Sequence, residues 1–283
     1  MARLVSVRPT LRMHTVIAGP YGGAPVVLLH GYPEFWWSWR HQLRFLDEGG
    51  WRAIAPDLRG VNYSDKPATG YDPPTLAGDL LGLLDALDLT QAVFVGNDYG
   101  GVLAYILALL HPQRVRALVV LNTMHPARWP SSRLSGRNPM RIIAFMTLLG
   151  HAIGGPLLHV ANQSLGIGGG MGWLAHQKNA LPHNVRVAYS QAYARSGRTA
   201  TAYAPALARW LRDDMPEDLT ITHPTLVLWP EKDRSAPVWL THGIHETIPR
   251  AQVVIIPQAG HWVQQEQPAA VNAALTAFLR DLP

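Results

Sequence analysis

The feature that most restricts this chain is a series of short, nearly all-apolar runs separated by helix-length stretches. Pro25 to Leu29 (PVVLL), Arg52 to Ala55 (RAIA), Ala92 to Val95 (AVFV) and Ala117 to Leu121 (ALVVL) have no polar face to offer to water. A strand of that kind must be covered on both sides. The intervening segments Phe35 to Glu48, Pro74 to Leu87 and Gly100 to Leu110 are long enough for helices. Strand and helix in alternation specify βαβ units and a mostly parallel sheet in an α/β fold. The rhythm returns at Pro224 to Trp229 (PTLVLW) and Gln252 to Ile256 (QVVII), and ends in a helix from about Pro268 to Leu279. Between the two stretches, residues 126–214 differ. They hold loops rich in Gly, Ser and Pro and helical segments such as Asn184 to Ser196 and Thr201 to Leu211, without a convincing strand. The expected organisation is an α/β core over 1–125, a helical insertion over 126–214, and the rest of the core over 215–283.

Composition narrows the chemistry. The 283 residues are 48% hydrophobic and 15% charged, enough to bury a large core and too apolar for disorder. There is no cysteine, which removes disulfides, thiolate metal sites and a cysteine nucleophile together. The net charge of +5 is carried by 21 Arg and 3 Lys that are scattered rather than clustered, so no nucleic-acid surface is expected. Residues 1–20 carry Arg3, Arg8 and Arg12 and no apolar run of signal length, which suggests a cytoplasmic protein. Ile142 to Ala161 lacks Asp, Glu, Lys and Arg over the length of a membrane span. Gly154-Gly155-Pro156 break it, and His151 and His159 are costly in lipid, so two short helices are expected there and no span.

The sharpest motif is Val93 to Gly101, VFVGNDYGG, leading into the helical LAYILALL. A strand, a tight turn and a helix place Asp98 at the apex, with Gly96 and Gly100 two residues to either side. This is the pattern of a nucleophile elbow, usually occupied by serine. Aspartate changes the chemistry, because a carboxylate is already ionised and attacks without a base. It suits an electrophilic saturated carbon, giving an alkyl ester that water then cleaves at the aspartyl carbonyl. The turn-favouring Asn, Asp and Gly would also suit a plain reverse turn. Asp98 does not stand alone, however. Asp233 follows the strand PTLVLW and His261 follows QVVII, in the chain order nucleophile, acid, base, each at the carboxyl end of a strand. Glu231 is the fallback acid. Asn122, after ALVVL, cannot serve as one. The oxyanion donors expected are the backbone N–H groups of Tyr99 and of Tyr32 in His30-Gly31-Tyr32-Pro33, with His30 in a structural role. No metal or organic cofactor is called for.

Taken together, HGYPEFWWSWRHQL (30–43), APDLRGVNYSDKP (55–67), GNDYGG (96–101), HPQRVRALVVLN (111–122) and AGHWVQQEQP (259–268) resemble the epoxide hydrolases of the α/β-hydrolase fold, relatives of the haloalkane and haloacetate dehalogenases. The resemblance covers about residues 25–127 and 223–283. It implies an eight-stranded, mostly parallel sheet flanked by helices, with an inserted helical cap. The family's nucleophile, acid and base carry over onto Asp98, Asp233 and His261, and its oxyanion residues onto Tyr32 and Tyr99. Haloalkane dehalogenases usually have Asn or Glu at the position of Tyr32, and Trp, an indole donor to halide, at that of Tyr99. The epoxide hydrolases typically add two cap tyrosines that protonate the epoxide oxygen. Tyr203 matches the second. The first has no phenol at Ala144-Phe145-Met146, where His151 is a candidate substitute or else a core histidine. Tyr189 and Tyr193 are weaker candidates that suit cap packing. Trp36, Trp37 and Trp39 open the helix after the oxyanion loop. Some belong to the core, and Trp36 and Trp37 are the candidates to meet an apolar substrate. The resemblance implies an apolar epoxide and water as the only reactants. A dehalogenase using the same aspartate is the alternative, and a non-catalytic binder would need no complete nucleophile, acid and base.

Overall fold

The computed structural model describes residues 1–128, 171, 174–197, 199 and 202–282. Eight strands, β1 (Ala2–Arg8), β2 (Leu11–Ala18), β3 (Pro25–Leu29), β4 (Arg52–Pro56), β5 (Ala92–Asn97), β6 (Val115–Leu121), β7 (Thr225–Pro230) and β8 (Ala251–Ile256), form one sheet in the order β1-β2-β4-β3-β5-β6-β7-β8. The β1 and β2 pairings are antiparallel, and every pairing from β4 to β8 is parallel. This is the α/β-hydrolase architecture.

The central strands behave as their composition demands. All residues of β4, β5 and β7 are buried, because helices cover both faces. On one side lie α2 (Pro73–Ala86) and α3 (Tyr99–Leu110), packed on Val27, Leu29, Phe94 and Val120. On the other lie α1 (Arg40–Glu48) and, near the C-terminus, Pro268–Arg280, packed on Val26, Leu28, Val95 and Val119. Alternate residues of one strand thus feed opposite cores. The start of α2 is set by Asp72, whose carboxylate accepts the Thr75 N–H at 3.0 Å, and by Pro73 in the first turn.

Two elements were not foreseen in the sequence, β1 and β2. Both alternate, with Val5, Val7, Leu11 and Met13 inside and Ser6, Arg8 and Arg12 outside, the period-2 pattern of a sheet edge with one wet face. The helix expected over 35–48 begins as a 3-10 turn, Trp36–Trp39, before α1.

Among the described residues between β6 and β7 are helices α4 (His183–Ser196) and α5 (Tyr203–Asp213) and no strand. After β8 the described residues form two further α-helices, α6 (Val263–Glu266) and α7, the Pro268–Arg280 element. No helix of the described residues is long and apolar enough to cross a membrane. Ile142 to Ala161, with His151, lies outside the described residues.

Candidate active site

Asp98 sits at the junction of β5 and α3 with φ +48° and ψ −117°, a backbone conformation that L-residues rarely adopt. Its surroundings hold it there. The Asp98 N–H donates to the Leu121 carbonyl at 3.3 Å, and its carbonyl accepts the Thr123 hydroxyl at 3.0 Å and the Gly101 N–H at 3.0 Å. The flanking glycines are required by space. A Cβ on Gly96 would collide with the Gly100 carbonyl, and one on Gly100 with the Leu29 carbonyl. The strand, turn and helix are therefore packed so closely that the apex side chain can only turn outward. The Tyr32 N–H donates to its Oδ2 at 3.0 Å, so one of the two expected amides already faces the carboxylate. The other, of Tyr99, belongs to the first turn of α3, where helix N–H groups lack partners within the helix.

His30 fixes the loop that carries Tyr32. Its Nδ1 donates to the Gly31 carbonyl at 2.8 Å and its Nε2 accepts the Leu58 N–H at 3.0 Å, so the ring is neutral, and burial lowers its pKa accordingly.

Asp233 and His261 come together after β7 and β8. His261 Nδ1 lies 2.8 Å from Asp233 Oδ2, with both residues buried. Asp233 Oδ1 accepts from the Ser235 N–H and hydroxyl, both at 2.7 Å, and from the Ala236 N–H at 3.1 Å. Burial pushes the Asp233 carboxyl up, but His261 and these donors outweigh it and hold it below the usual carboxylate range. Burial likewise opposes charge on His261. Asp233, with Asp98 and Glu34 further off, lifts it to about 9.

Asn122 Nδ2 stands 3.1 Å from His261 Nδ1, 3.1 Å from the His261 carbonyl and 3.3 Å from Asp233 Oδ2. Because Nδ1 carries the hydrogen given to Asp233, the amide serves the two oxygens. Asn122 is thus no acid, but it braces the pair. Glu231 is exposed, paired with Lys232 at 3.1 Å, and takes no part.

Asn122, which the sequence offered only as a position unfit for the acid, completes the frame together with two residues that sequence reasoning passed over, Glu266 and Glu34. Glu266, buried in α6, collects four N–H groups, from His176 and Gln177 at 2.8 Å, Gly260 at 3.0 Å and Trp262 at 3.1 Å, and so shapes the loop bearing His261. Glu34, also buried, lies between this loop and α4. Their partners are distant in sequence, so no local signal announced them. The Glu in HGYPE and in HWVQQE was visible only as part of a motif.

A narrow cavity of about 20 Å³, enough for a water molecule, lies beside the Asp98 turn. Tyr32, Glu34, Leu58, Tyr99, Tyr193 and Tyr203 are among its described walls. Tyr203 brings its ring edge to Tyr99, 4.8 Å between centroids, while its hydroxyl donates to the Arg59 carbonyl. The Tyr99 hydroxyl is buried and has no hydrogen-bond partner among the described residues. Tyr189 is wholly buried, its hydroxyl on Glu34 at 3.3 Å, and Tyr193 stands across from Tyr32. Trp36 and Trp37 are not among the described walls of this cavity. Trp36 packs against both cores, its N–H held by Asp57 at 2.9 Å, and Trp37 lies under the Arg40 guanidinium. Among the described residues no group of three or more His, Asp or Glu side chains could hold a metal.

An aspartate on a strained strand-to-helix turn, an amide aimed at its carboxylate and a carboxylate–histidine pair on later strands define a hydrolase of the α/β-hydrolase class. Comparison with known proteins agrees. The α/β-hydrolase-fold family model matches residues 24–140, and a second, described as TAP-like protein, matches 191–282. The chain is 34% identical over 295 residues to epoxide hydrolase 4 of Mus musculus, covering 96% of this chain and 77% of that one. It is 27% identical to the AB hydrolase superfamily protein YfhM of Bacillus subtilis, covering 96% and 95%. The epoxide hydrolase of Bacillus megaterium, solved with an inhibitor, superimposes with a TM-score of 0.84 at 22% identity, over 99% of this chain and 100% of that one. The chain belongs to the epoxide hydrolase family of the α/β-hydrolase fold.

Proposed function

We propose that this protein hydrolyses an apolar epoxide to a vicinal diol through an ester on Asp98, with no metal or organic cofactor. The observation that carries the reading is the outward Asp98 carboxylate under the Tyr32 amide, with the Asp233–His261 pair as the remaining titratable machinery. An Asp98 oxygen attacks an epoxide carbon, the ring C–O bond breaks, and the oxygen takes a proton from a wall phenol. Tyr203 is the cap candidate, and it acts by exchanging the Arg59 carbonyl for the epoxide oxygen. His261 is oriented through Nδ1, so Nε2 takes a proton from water as that water attacks the aspartyl carbonyl. The Tyr32 and Tyr99 amides receive the oxyanion. Collapse expels the diol, whose alkoxide takes the proton held by His261, and the second water proton returns to the phenolate, which restores both the carboxylate and the phenol. In this reading residues 126–214 form the cap. The apolar, aromatic walls suit an uncharged substrate, and membership of the epoxide hydrolase family favours an epoxide over a haloalkane.

A panel of epoxides and haloalkanes offered to the purified protein tests this. Diol from wild type, together with a mass increase on the Asp98 peptide in His261→Gln, is the expected result. Halide release without diol would move the protein to the dehalogenases, and neither product would leave a binding role.

A further inference from the structure

The cavity beside Asp98 is too small for the substrate it must take. About 20 Å³ holds little more than one water, which fills roughly 10–15 Å³ of such space, whereas an epoxide brings three ring atoms and their substituents. A wall has to move before substrate reaches the carboxylate. Exposure shows which one can. Most of the described walls are buried, among them Leu58, Tyr99 and Tyr203. Three reach water: Tyr32, which keeps 39% of its surface exposed, and the half-buried Pro33 and Tyr193. The proline ring is closed onto its own backbone and cannot swing aside. The movable part of the mouth is therefore the two phenols.

They meet across it, Tyr32 from the oxyanion loop and Tyr193 from α4. Their ring centroids are 6.5 Å apart at 65°, edge to face, and the Tyr32 hydroxyl has that of Tyr193 as a hydrogen-bond partner. The backbone behind each ring is fixed. The Tyr32 N–H is held by Asp98 Oδ2 at 3.0 Å, and the preceding Gly31 N–H by Glu34 Oε2 at 3.2 Å. On α4, Tyr189 stands one turn before Tyr193 and its hydroxyl accepts Gln265 Nε2 at 2.9 Å. Just after Tyr193, Arg195 Nε donates to Asn62 Oδ1 at 2.7 Å, and the Ser196 hydroxyl accepts the Asn62 N–H at 2.9 Å. A helix tied to the core on both sides of a residue leaves that residue its side-chain torsions and little else. Rotation about the Tyr32 Cα–Cβ bond likewise moves the ring and leaves the amide on Asp98.

Resting on the epoxide hydrolase reading, we propose that the side chains of Tyr32 and Tyr193 form a mouth that sets the width of epoxide admitted to Asp98. Passage breaks the phenol–phenol bond and the edge contact. A narrow epoxide passes by displacing one ring, whereas a wide aromatic one has to displace both. The two side chains thus discriminate at entry, in kcat/KM, and take no part in cleavage of the ester, which begins after the mouth has been passed.

The test compares kcat/KM for terminal epoxides of rising width, from propylene oxide through styrene oxide to a naphthyl-bearing epoxide, in wild type and Tyr193→Phe. Decay of the Asp98 ester is followed beside it in single turnovers. Tyr193→Phe keeps the ring and removes the hydroxyl. The widest-to-narrowest ratio of kcat/KM is expected to rise about three- to tenfold, the worth of one hydrogen bond, while ester decay stays within about twofold of wild type. Tyr32→Phe removes the same bond from the other side, so the double variant should show no larger ratio than either single one. An unchanged ratio in Tyr193→Phe, or single effects that multiply in the double variant, would overturn the proposal. Slower ester decay in Tyr193→Phe would also overturn it, by placing that hydroxyl in the chemistry. Should Tyr193→Phe not fold, Tyr32→Phe is read in its place, with the same rise in the ratio expected and an unchanged ratio overturning the proposal. Failure of the underlying reading shows differently: wild type would form neither ester nor diol even from propylene oxide, which would overturn both.

Discussion

The sheet and the insertion hold their parts of the site by different means. On the sheet, Asp98 is fixed by its own strained backbone and by glycines that admit no Cβ, and His261 by a buried carboxylate with three further donors behind it. On the insertion, the Tyr189 hydroxyl donates to Glu34 and accepts from Gln265, and the Tyr203 hydroxyl donates to the Arg59 carbonyl, with no backbone strain to hold either ring. The sheet fixes its groups before substrate arrives. The insertion offers groups whose bonds can be exchanged for bonds to substrate.

That contrast can be broken or sharpened by experiment. The largest effect should come from the sheet. Asp98→Asn removes the nucleophile, and diol formation is expected to fall by about 10⁴-fold or more, measured as product with a fixed amount of enzyme. If diol continued at a tenth of the wild-type rate, the chemistry would lie elsewhere.

Next comes a pH effect on stability. His261 rises from 6.5 to about 9 on folding, so its contribution is complete below pH 6.5 and is lost as pH climbs through 9. The loss is on the order of 3 kcal/mol. Thermal melts between pH 8 and 9.5, above the window in which Glu34, raised by burial to about 7, titrates, should show the Tm falling in wild type and staying flat in His261→Gln.

On the insertion, Tyr203→Phe is expected to slow ring opening by roughly 10- to 100-fold while decay of the Asp98 ester keeps its rate. Equal slowing of both steps would mean that Tyr203 shapes the fold rather than donates a proton. The smallest effect is Tyr99→Phe. Its buried hydroxyl has no partner among the described residues, so removing it should leave the Tm unchanged or raise stability by up to about 1 kcal/mol. A clear fall in Tm would reveal a partner.

The same contrast explains what the sequence disclosed. Strands β3 to β7 were legible because burial on both faces leaves them nearly all apolar, β8 because QVVII is an apolar run though partly exposed, and Asp98, Asp233 and His261 because each follows such a strand. The edge strands β1 and β2 were missed because Arg8 and Arg12 on their wet face, and Arg3 at the open start of β1, break up the apolar run. Trp36 and Trp37 were not legible either way because an aromatic cluster is equally suited to core and pocket; in the structure both are partly buried against the core. Glu34, Glu266 and Asn122 owe their roles to donors and acceptors as far as 231 residues away, a pairing that no local pattern encodes.

One arrangement links these residues. Glu34 bonds to Gln264, Gln264 to Asn97, Asn97 to Asn122, and Asn122 to Asp233, so side-chain amides run across the ends of β5, β6 and β7 from the oxyanion loop to the acid. Gln264 donates to both of its neighbours while Asn97 and Asn122 each donate and accept, and breaking any one strands its neighbours in a dry environment. Local melting of the catalytic apparatus is therefore penalised as heavily as melting of the sheet beneath it. Heat inactivation should then coincide with loss of the whole tertiary structure, with no temperature range in which a folded but inactive sheet persists.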